Sequence, residues 1–335
     1  MFKFHKILFL ITLISGTLIA ISSYSWMSMW IGLEINLLSI IPLLSDPNNT
    51  YPSESALKYF ITQALASVIF LFSIIMNLNF MEIFPQNSIF IMMMNSALLT
   101  KMGAAPFHAW FPEVMEGLNW LNCLIMLTWQ KIAPMILLMY NMKMTTFFLC
   151  IIIFSSIIGS ILGLNQISLR KILAYSSINH ISWMIASMMN YQNIWLVYFL
   201  IYSIINLNII LILNTQNIFY LKQLNNTLTY SKIFKFFFVM NFLSLGGLPP
   251  FLGFLPKWLV INNLTQNNFY LLSILLISFT LITLFFYLRI TFSTLVINTN
   301  ENLILTNKKT SLFVILFNFL SLTSLLTCTM ILSYF

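Results

Sequence analysis

Charged residues are scarce in this sequence. Only 7% of its 335 residues are charged, with 7 Asp and Glu against 15 Lys and Arg, whereas a soluble globular chain carries about 25%. So few charges could not cover the surface of a soluble domain, which excludes a soluble enzyme, a nucleic-acid-binding domain and a disordered chain. Hydrophobic residues make up 60% of the chain, and this indicates a polytopic membrane protein.

Cysteines are also few, and the sequence has no nucleotide loop or flavin site. Cys123, Cys150 and Cys328 lie in apolar runs, and none stands at metal-ligand spacing from another Cys or a His. This pattern excludes a disulfide framework, a zinc site and an iron–sulfur site, so we expect no cofactor in this chain. The net charge of +8 is typical of basic loops in a membrane protein, and we expect no nucleic-acid partner.

The chain contains eleven apolar runs that are long enough to cross a bilayer, which takes about 20 helical residues. The runs are continuous rather than alternating, and helices satisfy their own backbone hydrogen bonds in lipid, so the predicted class is all-α. We expect a single transmembrane domain over residues 1–335. The expected helices cover residues 4–22, 26–44, 56–77, 88–106, 119–141, 145–164, 172–189, 193–214, 236–259, 269–293 and 311–334.

Basic residues between these helices are distributed unequally. Lys143 is the only one on the side opposite the N-terminus. Because cytoplasmic and matrix loops are enriched in Lys and Arg, the N-terminus is predicted in the cytoplasm or matrix and the C-terminus outside. The ten residues on the N-terminal side are Lys3, Lys6, Lys58, Arg170, Lys171, Lys222, Lys232, Lys235, Lys308 and Lys309.

Once the residues assigned to loops and membrane interfaces are set aside, five acidic, basic or histidine residues remain inside the expected helices: Glu34, Lys101, Lys131, His180 and Lys257. Each costs about 2.5–3.5 kcal/mol at a helix centre, and such residues are generally functional. We interpret them as candidate proton-transfer groups, because Glu, Lys and His side chains exchange protons. Structural alternatives remain for four: an ion pair between two helices for Glu34, a helix kink that only helps packing for Lys101, an interfacial anchor for Lys257, and a hydrogen-bonding core residue for His180.

Helix-breaking residues stand beside three of these positions. Gly103 and Pro106 are expected to break the fourth helix next to Lys101, because proline lacks an N–H and its ring crowds the preceding turn. Pro134 is expected to interrupt the fifth helix next to Lys131 in the same way. The ninth helix contains the densest group of breakers: Gly246, Gly247, Pro249 and Pro250.

The two broken helices are five helices apart. Interrupted helices at matching places in two halves are the mark of inverted-repeat transporters, and an odd offset gives the halves opposite topology. We therefore expect one five-helix repeat over about 1–142, a second over about 145–294, broken helices 4 and 9, and a last helix over about 311–334.

Four motifs resemble one protein family. They are WIGLEIN at 30–36, KMGAAPFHAWFPE at 101–113, TWQKIAP at 128–134 and GGLPPFLGFLPKW at 246–258. The sequence resembles the antiporter-like membrane-arm subunits of NADH:ubiquinone oxidoreductase, respiratory complex I, and looks most like an insect mitochondrial form. The likeness runs nearly end to end, and this family is related to Mrp-type cation/proton antiporters.

The resemblance implies a role for each buried ionisable residue. Glu34 and Lys101 would form a charged pair on neighbouring helices, and Lys131 would be the central lysine. His180 would be a polar relay residue, and Lys257 the distal lysine on the second broken helix. The resemblance also implies the mitochondrial inner membrane, with the N-terminus in the matrix and the C-terminus in the intermembrane space.

Partners and cofactors follow from the same resemblance. NADH, FMN, iron–sulfur clusters and ubiquinone would be bound by other subunits of the complex. The chain would contact other membrane-arm subunits, including further antiporter-like ones, and membrane phospholipids.

The functional hypothesis is a proton-translocating subunit that is an enzyme only as part of the complex. Electron transfer from NADH to ubiquinone elsewhere would drive protons through the Glu/Lys/His relay. Two alternatives remain: a stand-alone cation/proton antiporter, and a structural scaffold of the membrane arm. Glu34 is the only acid clearly inside an expected helix, and one carboxylate is few for a sodium site.

Overall fold

The computed structural model of the chain is helical. It describes residues 4–46, 49–80, 88–227, 232–296, 317–319 and 322. Within these ranges there is no β-strand, only an isolated antiparallel bridge between Ser168 and Tyr220. The helices are α1 (Phe4–Ser22), α2 (Trp26–Leu44), α3 (Thr50–Phe80), α4 (Ser88–Met102), α5 (Trp110–Gly117), α6 (Trp120–Leu127), α7 (Trp129–Tyr140), α8 (Thr145–Ile161), α9 (Leu169–Met188), α10 (Gln192–Gln216), α11 (Leu221–Thr227), α12 (Lys232–Gly246), α13 (Phe254–Gln266) and α14 (Tyr270–Val296).

Many of these helices have the length and composition of membrane spans. Within the described ranges, six segments are long and apolar enough to cross a membrane: Phe4–Ser22, Trp26–Leu44, Thr50–Asn79, Trp120–Tyr140, Gln192–Gln216 and Tyr270–Thr294. Shorter apolar helices cover Ile89–Met102, Thr145–Ile161 and Phe234–Gly246. The predicted all-α membrane class is therefore confirmed for the described residues, and the count of eleven membrane helices stays a prediction.

The first ten expected ranges each overlap one or two of the observed helices. The expected last helix at 311–334 lies outside the described residues, apart from 317–319 and 322. α3 is longer than expected, and its first turns carry a solvated ion pair between Glu54 and Lys58, one helical turn apart. Glu113 and Glu116 lie in α5, where a loop was expected after the fourth helix.

The break expected at Pro134 was wrong in position. Pro134 lies inside α7, and the interruption falls at Thr128, whose φ and ψ are −115° and −73°. There the backbone N–H of Lys131 donates to the Thr128 carbonyl over 3.2 Å. A proline removes the hydrogen bond to the carbonyl four residues before it, which for Pro134 is that of Gln130, and the interruption lies two residues before Gln130.

The described chain divides into two compact units, Met1–Phe154 and Ser155–Phe335, with the boundary inside α8. In the first unit α3 packs on α2, α4 and α5, while α7 packs on α1, α4 and α6. In the second unit α10 packs on α9, α12 and α13, and α14 packs on α9, α11, α12 and α13. Nearly every residue of α9 is buried, which makes it the central helix of the second unit.

Small residues allow α1 and α2 to approach closely. A Cβ atom added at Gly32 of α2 would lie 2.5 Å from the backbone nitrogen of Ala20 of α1. A Cβ at Gly16 of α1 would lie 3.0 Å from the backbone nitrogen of Asn36. Such small residues are how membrane helices bring their backbones together, and this packing holds the part of α2 that carries Glu34.

Candidate functional site

α4 ends at a glycine next to Lys101. The N–H of Gly103 donates to the Thr100 carbonyl and that of Ala104 to the Leu99 carbonyl, both over 3.1 Å. This pair of bonds is a Schellman motif, which requires a left-handed residue at the Gly103 position. Gly103 has φ +74°, a conformation that glycine adopts without steric cost. Lys101 is thereby held in the last turn of a helix that stops inside the first unit.

α12 ends in the same way in the second unit. The N–H of Gly247 donates to the Ser244 carbonyl over 3.0 Å, and that of Leu248 to the Leu243 carbonyl over 3.4 Å. Gly247 has φ +78°. The next helix, α13, begins seven residues after this glycine, and α5 begins seven residues after its counterpart in the first unit. α4 and α12 therefore both end at the expected place, with the same backbone motif and the same number of residues before the next helix begins.

The prolines expected at these breaks lie in the connecting segments. Pro106 lies between α4 and α5, and Pro249 and Pro250 lie between α12 and α13. Gly246 is the last residue of α12. All of these predicted break positions thus fall at the end of a helix or directly after it.

Lys101 lines a small cavity in the first unit. The side chain is 7% exposed, and its Nζ has no hydrogen-bond partner among the described residues. The space open to water centres is about 10 Å³, roughly what a single water needs. The polar residues of the lining are Asn36, Tyr59, Gln63, Lys101 and Gln130.

A chain of side-chain hydrogen bonds runs along this cavity. The Tyr59 hydroxyl donates to Gln130 Oε1 over 3.2 Å, and Gln130 Nε2 donates to Asn36 Oδ1 over 2.8 Å. Gln63 Nε2 donates to the backbone carbonyl of Lys101 over 3.5 Å. Sequence reasoning missed Tyr59 and Gln63; their signal is two polar residues one helical turn apart in an apolar helix.

Glu34 lies near Lys101 but does not bond to it directly. The Glu34 side chain is half-buried, and its Oε1 has no hydrogen-bond partner among the described residues. A Glu34 carboxylate is close enough to interact electrostatically with Lys101 and Tyr59. The charged pair that the resemblance implies stays a prediction, because the structure shows no direct contact between Glu34 and Lys101.

Lys131 is the most buried of the lysines whose exposure the structure describes, with 1% exposure. It follows the interruption at Thr128 in the first turn of α7. Its Nζ lies 5.4 Å from the centre of the Phe111 ring in α5, within the range of a cation–π interaction. The structure thus places the central lysine against the helix that follows the first break.

His180 meets two tyrosines in the second unit. His180 Nδ1 lies 2.8 Å from the Tyr198 hydroxyl oxygen, and the centre of its ring lies 5.0 Å from that of Tyr202. The histidine is 5% exposed, and both tyrosines are at most 2% exposed. The sequence analysis missed these tyrosines, although their spacing of one helical turn puts them on one face of α10.

Lys257 caps the end of the broken helix α12. Its Nζ donates to the Gly246 carbonyl over 2.8 Å and to the Leu245 carbonyl over 3.2 Å. These carbonyls lack helical partners because α12 stops there, and the negative end of the helix dipole favours a cation. Lys257 is 7% exposed, so its ammonium group is enclosed by the protein and held at the end of α12.

A second small cavity connects His180 with this break. The space open to water centres is again about 10 Å³. Its lining includes His180, Tyr198, Tyr202, Ser244 and Leu245. The described residues contain no group of three or more His, Cys, Asp or Glu side chains that could hold a metal ion. The lysine, histidine and tyrosine side chains at the two cavities can exchange protons and form hydrogen bonds.

Comparison with known proteins agrees with this architecture. The family model described as NADH:quinone oxidoreductase/Mrp antiporter, TM, matches residues 23–284. The chain is 50% identical to NADH-ubiquinone oxidoreductase chain 2 of Anopheles gambiae and 52% identical to that of Aedes aegypti, in both cases over 98% of each chain. A chain of respiratory complex I from Thermus thermophilus, solved with bound aureothin, has the same fold with a TM-score of 0.86 at 22% identity, over 99% of this chain and 80% of that one. The chain belongs to the NADH:quinone oxidoreductase/Mrp antiporter transmembrane family.

Proposed function

We propose that this chain is the chain 2 subunit of mitochondrial respiratory complex I and that it translocates protons. It takes part in NADH:ubiquinone reductase activity as a multi-pass subunit of the inner membrane. The observation that carries the proposal is the burial of three lysines, each at most 7% exposed, at or beside a helix interruption. The names of the insect relatives support the assignment to the complex.

In the first unit, the distance between Glu34 and Lys101 is the proposed input. A lysine ammonium in a low dielectric is stable near a carboxylate and costly without one. Redox chemistry in other subunits would change this distance, and Lys101 would release or take a proton in response. The charge on Lys101 would then oppose or favour the charge on Lys131, and separating such charges is worth several kcal/mol. Moving a proton against the membrane potential takes about 2.3 kcal/mol per 100 mV.

In the second unit, His180 and Lys257 are the proposed relay groups. His180 exchanges protons near neutral pH in ordinary surroundings, and Tyr198 orients its ring. Lys257 holds its proton against the carbonyls of Leu245 and Gly246. The small cavity beside His180 extends to Leu245, one of the two residues whose carbonyls bind Lys257, and it is the space proposed for a water between His180 and the end of α12.

The finer architecture belongs to the same proposal. The two Schellman breaks with equal spacing to the next helix support two inverted repeats, over about 1–142 and 145–294. The bias of basic residues supports a matrix N-terminus and a C-terminus in the intermembrane space. The partners are other membrane-arm subunits and phospholipids, with nucleic acid excluded, and the redox cofactors are bound by other subunits.

The test is Lys131→Met in the assembled complex, with Lys143→Met as the matched control at an exposed lysine. The first change removes the central charge from a fully buried site and is expected to abolish NADH-driven proton pumping while the complex still assembles. The control is expected to pump normally. Full coupled activity of Lys131→Met would refute the relay and favour a structural scaffold.

A self-sufficient cation/proton antiporter is the second candidate, because the matching family model includes Mrp antiporters. Such an antiporter would exchange Na⁺ for H⁺ when purified alone and placed in vesicles. The proposed function predicts no exchange by the isolated chain and pumping only in the complex.

A further inference from the structure

The ammonium group of Lys101 can donate hydrogen bonds, but the described residues provide no acceptor for them. Its Nζ is buried without a hydrogen-bond partner among the described residues, while three N–H groups of a charged lysine require acceptors. The adjoining cavity has room for about one water, and it is lined by polar groups.

The hydrogen bonds around the cavity determine whether the Tyr59 hydroxyl can donate or accept a hydrogen bond there. A tyrosine hydroxyl has one hydrogen, and that of Tyr59 is donated to Gln130 Oε1, an atom that can only accept. The Gln130 amide is held in this orientation because its Nε2 donates to Asn36 Oδ1 over 2.8 Å. The Tyr59 oxygen can therefore form a further hydrogen bond only as an acceptor.

The aromatic ring of Tyr59 is held in place by the broken helix. It lies edge-on to the ring of Trp110, with 5.8 Å between the centroids. Trp110 Nε1 in turn donates over 3.0 Å to the carbonyl of Thr100, next to Lys101 in the last turn of α4. The tyrosine is 3% exposed, so its hydroxyl has a fixed position relative to the end of α4.

We propose that the cavity binds one water, which accepts a hydrogen bond from Lys101 and donates one to Tyr59. In this role Tyr59 is a positioning residue: it orients the water, and neither gains nor loses a proton. When Lys101 releases its proton, an N–H bond of Nζ breaks as an O–H bond forms on this water, whose oxygen faces the lysine because one of its hydrogens faces Tyr59. The water gives its other hydrogen to a carboxylate, for which Glu34 is the nearby group, so that a neutral lysine, a neutral water and a protonated carboxyl remain. Gln130 and Asn36 maintain this orientation of the water, because their hydrogen bonds keep the Tyr59 hydrogen pointed at Gln130. This inference rests on the proposed role of Lys101 in proton transfer.

The first experiment is a cryo-EM map of the assembled complex at a resolution that shows single waters. A water is expected within hydrogen-bond distance of both Lys101 Nζ and Tyr59 Oη, and it is expected to be absent or displaced in Tyr59→Phe with the helices unmoved. A map of the unmodified complex without this water, or with a water that does not reach Tyr59, would overturn the proposal even if the variant does not assemble.

The second experiment is NADH-driven proton pumping of Tyr59→Phe at equal complex content. The rate is expected to fall about tenfold, as the loss of one hydrogen bond to a charged site predicts. Tyr140→Phe makes the same atomic change at a tyrosine that is 49% exposed, and it is expected to pump normally. A purely structural Tyr59 would change the amount of complex rather than the pumping per complex.

Lys101→Met separates this inference from the proposed function. Normal pumping by Lys101→Met would refute the role of Lys101 itself, and with it the inference. If Lys101→Met stops pumping while Tyr59→Phe pumps normally, the proposed function stands and the positioning role of Tyr59 is wrong.

Discussion

Gly247→Ala tests whether proton pumping requires the hydrogen bonds between Lys257 and the free carbonyls at the end of α12. A Cβ atom at Gly247 would lie 2.8 Å from Cδ and 3.0 Å from Nζ of Lys257. These atoms belong to a flexible side chain, so the lysine is expected to move while the helix still forms. The left-handed backbone, φ +78°, adds about 1–2 kcal/mol for a residue other than glycine.

The expected loss of function follows from the hydrogen bonds that Lys257 would give up. A hydrogen bond that involves a charged group contributes about 1.5–3 kcal/mol. Losing one of the two bonds to Leu245 and Gly246 therefore corresponds to a roughly 10- to 100-fold slower pumping rate, since about 1.4 kcal/mol is a factor of ten. The backbone cost is expected separately, as a lower melting temperature of the complex.

The preceding glycine supplies the matched control. A Cβ atom at Gly246 would have Leu284 Cδ1 at 3.6 Å as its nearest neighbour, which is an ordinary contact, so Gly246→Ala is expected to pump normally. The assay is NADH-driven acidification of sealed membrane vesicles, normalised to complex content on a native gel. Equal pumping by Gly247→Ala and Gly246→Ala would refute the reasoning about the Lys257 cap.

Two further predictions concern the other contacts described above. Gly32→Ala would bring a Cβ atom to 2.5 Å from the backbone nitrogen and 2.8 Å from the Cα of Ala20; since backbone cannot yield as a side chain does, α1 and α2 are expected to separate at a cost of about 1–3 kcal/mol. A native gel is expected to show a smaller amount of complex, and a melting curve a less stable one. An unchanged melting temperature would contradict the close packing. Tyr198→Phe removes the hydroxyl that lies 2.8 Å from His180 Nδ1 and leaves a buried ring nitrogen without that partner, so pumping is expected to fall roughly tenfold. Normal pumping by Tyr198→Phe, measured against Tyr140→Phe, would show that Tyr198 does not orient His180.

The helices and their interruptions could be predicted from the sequence to a large extent. α1 and α2 begin and end within the expected ranges because lipid leaves an apolar backbone segment no other way to satisfy its hydrogen bonds. Gly103 and Gly247 could be recognised as breaks because glycine and proline act locally on their own turn. Pro134 was expected to break its helix, but it lies inside α7 and the interruption is at Thr128.

The partners of the buried charges could not be predicted in the same way. Tyr59 and Gln130 are 71 residues apart, and Gln130 and Asn36 are 94 residues apart. The absence of a direct bond between Glu34 and Lys101, and the carbonyls that Lys257 caps, likewise depend on how separate helices pack. The sequence by itself determined which segments are helical, where they break and which charges are buried, because each follows from a residue and its neighbours in the chain. The tertiary structure alone decided which groups face one another, because hydrogen-bond direction and distance arise only when helices from distant parts of the sequence meet.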